Sequence, residues 1–447
     1  MQNIFIIFFL VLIIFQSGCS DAQNPEKENI YFVEIPDSLS LYEKLKMLPG
    51  VEVEKIRYDS LQYKGGYKLM FSQPLDYEHP EKGSFKQKAY LTHINDSLPM
   101  VAYLDGYCVP NNRFRSEIAD FLNANYIQIE HRYFCESAPD SIDWQYLTVR
   151  QSAWDHHKII QLLKNIYKDK WISTGISKGG QTVIYHKRFF PEDVDVAVPV
   201  VAPLNLEEND PRIYEFLKNA GTKECREKVR DVQIYLLKNR SKTFPVFKDK
   251  VEKYGYKYKH NLDTIFELSV FELEFAFWQW IGNCNFLPDK IKSANEAVDL
   301  LFRYDACGFF ENKMVNELFP FFYQSYTETG MYGYKTEPFK DYLVAYKNDV
   351  NNMETFIPRS FNLEYNKNAM LDINQWLKDS GNNMIYIYGE LDAWSSTAVD
   401  PGNKTNALKI IKKGGTHQTR ISNLPADQKE LVLSTLEKWL NRKIYRD

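Results

Sequence analysis

The chain has 447 residues, 44% of them apolar and 26% charged, with a formal net charge of −4. Such proportions exclude extended disorder, collagen-like repeats and coiled coil, and the length exceeds one ordinary domain. No basic stripe is visible, so nucleic-acid binding through phosphate neutralisation has no footing. Aromatic residues reach 15%, with 30 Tyr and 29 Phe, an excess that aromatic-lined pockets or a thickly packed core explain equally well.

Ile4 to Phe15 is an unbroken apolar run. It is too short to cross about 30 Å of hydrocarbon as a membrane helix, and it suits the core of a secretion signal over residues 1–18. Ser17-Gly18-Cys19 follows. Gly directly before Cys resembles a bacterial lipobox, although Gln16 stands where Leu is usual and no Lys or Arg precedes the apolar core. Cys19 is therefore the expected lipidation site and residues 19–30 a polar tether; an ordinary cleaved signal is the alternative. The expected location is outside the cytoplasm, as an outer-membrane or periplasmic lipoprotein or a secreted protein, with membrane contact through the anchor only. Cys108, Cys135, Cys225, Cys284 and Cys307 would then meet an oxidising compartment, and their odd number leaves at least one free. No CxxC or HxxxH spacing occurs, so zinc is not expected; no cofactor is expected either.

Residues 50–95 alternate in short strand-like runs. Then Met100–Leu104 and Tyr126–Ile129 read as continuous buried strands, with a helical stretch between them. Helical spacing follows over residues 145–167, a strand over Trp171–Thr174, a helix over Lys178–Phe190 and a strand over Asp195–Val201. Alternating strands and helices predict an α/β domain with a mostly parallel sheet. The alternation stops near Pro203. Residues 205–375 carry charged and aromatic residues at helical spacing, which predicts a helical insertion. Strands return at Met384–Tyr388 and Leu408–Ile411, and a closing helix runs from Asp427 to Trp439. The core is thus split into residues 31–204 and 376–447.

Gly175-Ile176-Ser177-Lys178-Gly179 is a G-x-S-x-G element that closes a strand and opens a helix, the setting of a nucleophile elbow. A hydroxyl needs a base, and the base needs an acid to orient it. Asp392 and His417 follow in that chain order, each past the end of a predicted strand. Asp400 and Glu390 are weaker candidates for the acid, and His131, His156 and His157 precede the serine. Ser177, Asp392 and His417 are the expected catalytic residues. The backbone N–H of Lys178 should form half of an oxyanion hole, and the loop at Gly106 and Tyr107 the other half. The Lys178 side chain is expected to be solvated.

EHRYF (Glu130–Phe134), YLTVRQSAWD (Tyr146–Asp155) and GISKGGQT (Gly175–Thr182) resemble the proline-specific serine peptidases of the α/β-hydrolase fold, the prolylcarboxypeptidase and dipeptidyl-peptidase family. The Ser-Lys-Gly-Gly after the elbow, APLNLEEND and GGTHQTRI are closer to the bacterial secreted prolyl tri- and tetrapeptidyl aminopeptidases. The resemblance covers roughly residues 50–447. It implies an α/β-hydrolase fold with a helical cap insertion, a peptide substrate, cleavage after proline near a free amino terminus, and no metal. Nothing in it fixes an oligomeric state.

Glu207 and Glu208, where sheet hands over to cap, could hold a substrate ammonium group or form a solvated turn. Trp394, Phe277, Trp278 and Trp280 could shape a proline-accepting pocket or serve as cap core. Glu130 and Arg132 read as a structural ion pair. In this fold Cys108 and Cys135 follow neighbouring strands and could bridge or stay as thiols; Cys284 and Cys307 are the next candidate pair. Two other functions stay open: a lipase or esterase of the same fold, and a catalytically silent binding lipoprotein.

Overall fold

A computed structural model describes residues 31–446. Cys19, the apolar leader and the tether lie outside the described residues. Strands β1 (Val51–Lys55), β2 (Gly65–Pro74), β3 (Ser84–His93), β4 (Met100–Leu104), β5 (Asn125–Ile129), β6 (Trp171–Ile176), β7 (Val196–Val200), β8 (Ile385–Gly389) and β9 (Leu408–Lys412) are hydrogen-bonded into one sheet. Its order is β1-β2-β3-β5-β4-β6-β7-β8-β9. The first three strands form an antiparallel meander that joins β5 antiparallel, and from β5 onward every neighbour is parallel.

The sequence pattern explains the division. Every residue of β4, β5, β7 and β8 is buried, as continuous apolar runs covered on both faces should be. Most of β2 alternates between buried and half-buried positions, as a strand with one covered face does. On one face, helices Val149–Lys164, Lys178–Phe189 and Lys367–Ser380 pack against the sheet through Ile159, Leu163, Val183, Met370, Ile373 and Leu377. Helix Ala426–Leu440 covers the other face through Val432, Leu433 and Leu436.

The insertion leaves after β7 and returns to β8, its sheet neighbour. Its helices, among them Pro211–Asn219, Lys223–Lys238, Arg240–Tyr254, Leu262–Trp280 and Ala294–Arg303, have a core of their own built on Phe247, Phe266, Phe277, Trp278 and Leu301. This is the α/β-hydrolase fold with a helical cap. The insertion was expected to run to residue 375. Helix Lys367–Ser380 instead buries its apolar face against the sheet, so the sheet-covering layer resumes before that boundary.

Among the described residues two disulfides are present, Cys108–Cys135 and Cys225–Cys284. The expected Cys284–Cys307 pair does not form. Helices Lys223–Lys238 and Leu262–Trp280 pack with the start of one near the end of the other, which brings Cys225 to Cys284. Cys307 is buried and free, its Sγ 3.5 Å from the Leu301 carbonyl. No helix of the described residues is long and apolar enough to cross a membrane.

Candidate active site

The elbow forms where β6 turns into helix Lys178–Phe189. Ser177 has φ +57° and ψ −123°, a sparsely populated conformation for a residue with a Cβ, and it persists only because the surroundings determine it. Those surroundings are close backbone crossings. A Cβ at Gly175 would stand 2.4 Å from the Gly179 carbonyl oxygen, and one at Gly179 would stand 2.7 Å from that of Leu104. Glycine is required at both, which accounts for the G-x-S-x-G spacing. Ser177 N–H donates to the Val200 carbonyl at 2.9 Å, tying the turn to β7.

The loop after β4 lies against the same turn: a Cβ at Gly106 would meet the Lys178 Cβ at 2.6 Å and the Gly179 nitrogen at 2.7 Å. This approach places Gly106 beside the helix amino terminus, where the dipole favours negative charge. Asp105 braces the loop. Its carboxylate accepts from Tyr107 N–H at 3.2 Å and from Gln128 Nε2 at 3.0 Å, and burial pushes its pKa up to about 6. The Cys108–Cys135 disulfide ties the loop to the segment after β5.

Asp392 and His417 stand at the ends of β8 and β9. His417 Nδ1 is 2.9 Å from Asp392 Oδ2, and both residues are buried. The Asp392 carboxylate also accepts from Ser395 Oγ at 2.5 Å and from Trp394 N–H at 3.1 Å. With Nδ1 facing a carboxylate, the imidazole carries its proton there and presents Nε2 as a base. Gly389 makes the approach possible, since a Cβ there would lie 2.5 Å from the Thr416 carbonyl oxygen. The rival acids are engaged elsewhere: Glu390 accepts from Gly414 N–H at 2.8 Å, and Asp400 accepts from Gly402 N–H at 3.2 Å.

The cap supplies a contact that sequence reasoning missed. His417 N–H donates to the Gln279 carbonyl at 2.9 Å, at the end of helix Leu262–Trp280, and the Trp280 ring meets the imidazole edge-on with centroids 5.4 Å apart. The two partners lie on opposite sides of β8 and β9 in the sequence, and no local pattern signals such a bond. Trp394 packs edge-on against Phe275 and Tyr332. Phe277 and Trp278 are fully buried in the cap core.

Two readings need correction. The Lys178 side chain is 2% exposed, because the cap closes over it. Glu130 and Arg132 do not pair with each other. Glu130 accepts from Val109 N–H, Ser137 N–H and the Lys88 ammonium, and Arg132 forms a bidentate pair with Asp155 at 2.6 and 2.9 Å. The chain leaves the extended conformation after β5, turning at Arg132 and Tyr133, the latter with φ +69°, so each side chain finds its own partner. Glu207 and Glu208 diverge as well: Glu207 is exposed, 4.0 Å from Lys367 Nζ, while Glu208 accepts from Asn351 Nδ2 at 3.0 Å. Burial, with the Glu208 charge second, raises the pKa of Tyr326, whose buried hydroxyl has no hydrogen-bond partner among the described residues. Among the described residues the only cluster with metal-ligand spacing is Cys108, Glu130 and Cys135, and the disulfide engages both sulfurs.

A family model described as PS-10 peptidase S37 matches residues 34–442. Over 410 residues the chain is 30% identical to the prolyl tri/tetrapeptidyl aminopeptidase of Streptomyces mobaraensis, an alignment covering 89% of this chain and 84% of that one. Among solved structures, the proline iminopeptidase of Mycobacterium smegmatis aligns with 83% of this chain and 99% of its own, at 12% identity and a TM-score of 0.38. A dienoate hydrolase from a Rhodococcus species aligns with 88% of this chain and all of its own, at 11% identity and a TM-score of 0.35.

Proposed function

The chain belongs to the PS-10 peptidase S37 family and is a serine peptidase; from that premise we propose that it is an exopeptidase releasing short, proline-ending peptides from free amino termini. The observations that carry the chemistry stand at the carboxyl ends of parallel strands: the strained elbow serine after β6, and the His417–Asp392 pair, held at 2.9 Å, after β8 and β9. Ser177 Oγ attacks the carbonyl carbon of the residue to be released, and His417 Nε2 takes the hydroxyl proton. Asp392 stabilises the imidazolium. The Lys178 N–H and the Gly106–Tyr107 loop face the developing oxyanion. His417 then protonates the leaving amine, and water, activated by the same imidazole, cleaves the acyl-enzyme.

Of the acidic pair at the handover to the cap, Glu208, which accepts from cap residue Asn351, is the carboxylate to which this reading gives the substrate's ammonium group. Cap residue Gln324 hydrogen-bonds Lys178, beside the nucleophile, and Met331 N–H donates to the Glu208 carbonyl at 2.7 Å. Trp394 and Trp280 flank the acid and the base with flat apolar surface suited to a proline ring.

A mixed peptide library digested by the protein and read by mass spectrometry tests this reading. Fragments of three or four residues ending in proline are expected, with acetylated amino termini cleaved poorly. Internal cleavage, or hydrolysis of acyl esters with no peptide release, would overturn it. Glu208→Gln should lower kcat/KM on free-amine peptides by about ten- to a hundredfold, with a much smaller loss on acetylated ones.

A further inference from the structure

Lysine is almost never fully buried without a partner of opposite charge, yet both hydrogen-bond partners of the Lys178 ammonium are neutral. Nζ donates to Gln324 Oε1 at 2.8 Å and lies 3.3 Å from His131 Nε2. His131 Nδ1 is 2.9 Å from the Arg132 carbonyl, which fixes the ring proton on Nδ1 and leaves Nε2 as an acceptor. Gln324 ends cap helix Phe319–Gln324 and is itself fully buried. One side chain thus joins the elbow helix, the segment after β5 and the cap. The backbone of the same residue is pressed against the Gly106 loop, where a Cβ has no room.

We propose that Lys178 is a positioning residue whose side chain latches cap segment 319–329 onto the nucleophile elbow and so holds its own N–H toward the oxyanion. The proposal rests on Ser177 being the nucleophile, and not on which peptide is released. A latch without a counter-ion is weak by construction, because lifting the cap returns the ammonium to water. Burial pushes the Lys178 pKa down to about 7, opposed only by Asp105 on the β4 loop. The other groups facing it carry no compensating charge. His131 is held neutral by burial, as is His156 on helix Val149–Lys164, and Tyr185 on the elbow helix stays protonated. An amine neutral under the closed cap and protonated in water favours closure more as pH rises from about 7 towards 10.5.

The test is hydrogen exchange of residues 319–329 together with the rate at which a fluorophosphonate labels Ser177. In the wild type, protection of the segment, corrected for intrinsic exchange, should rise by up to about tenfold per pH unit from pH ~7 to ~9. Lys178→Met should flatten that slope. Gln324→Leu, which breaks the same bond from the cap side, should lower protection. Each variant should slow labelling by about tenfold, with the double variant no slower than the worse single. An unchanged slope in Lys178→Met, a flat wild-type profile or additive labelling losses would each overturn the latch. A wild type that is labelled at Ser177 but releases no proline peptides would refute the specificity reading alone, and exchange would still decide the latch.

Discussion

Ser177 is held in a conformation serine avoids, between glycines that cannot accept a Cβ, so the reactive hydroxyl is positioned by what its neighbours lack. Ser177→Ala should lower kcat by several orders of magnitude. His417→Ala should cost about as much, and the double variant little more, since the triad acts as a unit; near-normal turnover in Ser177→Ala would overturn the assignment. Gly106→Ala tests the other side of the turn. Its methyl would strike the Lys178 and Gly179 backbone, so kcat should fall by roughly a hundredfold with little change in KM. Single-turnover kinetics on a proline peptide would separate the two parameters. Both glycine positions and the serine were legible in the sequence, because an elbow is local chemistry. The burial of Lys178 was not: its closest partner lies in the cap, 146 residues along the chain, and no spacing rule reaches that far.

Among the elements, the meaning of the EHRYF and LTVRQSAWD segments emerges only when β5 and helix Val149–Lys164 are seen together. Arg132 and Asp155 join them through a bidentate pair that is almost completely buried. Removing one member leaves the other as an unpaired buried charge. Arg132→Met should therefore destabilise the fold by about 3–5 kcal/mol, and Arg132→Met with Asp155→Leu by less than the sum of the singles, as thermal unfolding of the three variants would show. Inside the cap, Glu272 accepts from the Tyr332 and Tyr334 hydroxyls, and burial pushes its pKa from 4.5 up to about 8. The native state keeps this proton where the unfolded chain releases it. Its contribution is therefore complete below about pH 4.5 and is lost as pH rises through about 8. Glu272→Gln should show a Tm closer to, or above, that of the wild type at pH ~9 than at pH ~5; a constant difference would mean the carboxyl stays ionised. The parallel strands and the helices Lys178–Phe189 and Ala426–Leu440 were legible to within a residue or two, since buried parallel strands announce themselves as apolar runs. The end of the cap was not, because helix Lys367–Ser380 has the same periodicity whichever surface it covers.

For the molecule as a whole, two disulfides accord with the export expected from residues 1–18. Cys19→Ser should move the protein from detergent phase to aqueous phase if Cys19 carries the lipid, and a mature terminus other than Cys19 would refute the anchor. The bond from His417 N–H to the Gln279 carbonyl has a bearing on biosynthesis. Translation delivers the parts in the order serine, cap helix, acid, base. A nascent chain that has already made its elbow holds a serine with no base, and the base arrives beside a receptor carbonyl only if the cap has folded. A chain ending before His417 should therefore leave Ser177 unreactive toward a fluorophosphonate, and reactivity should appear only when the carboxyl-terminal segment has docked on a folded cap.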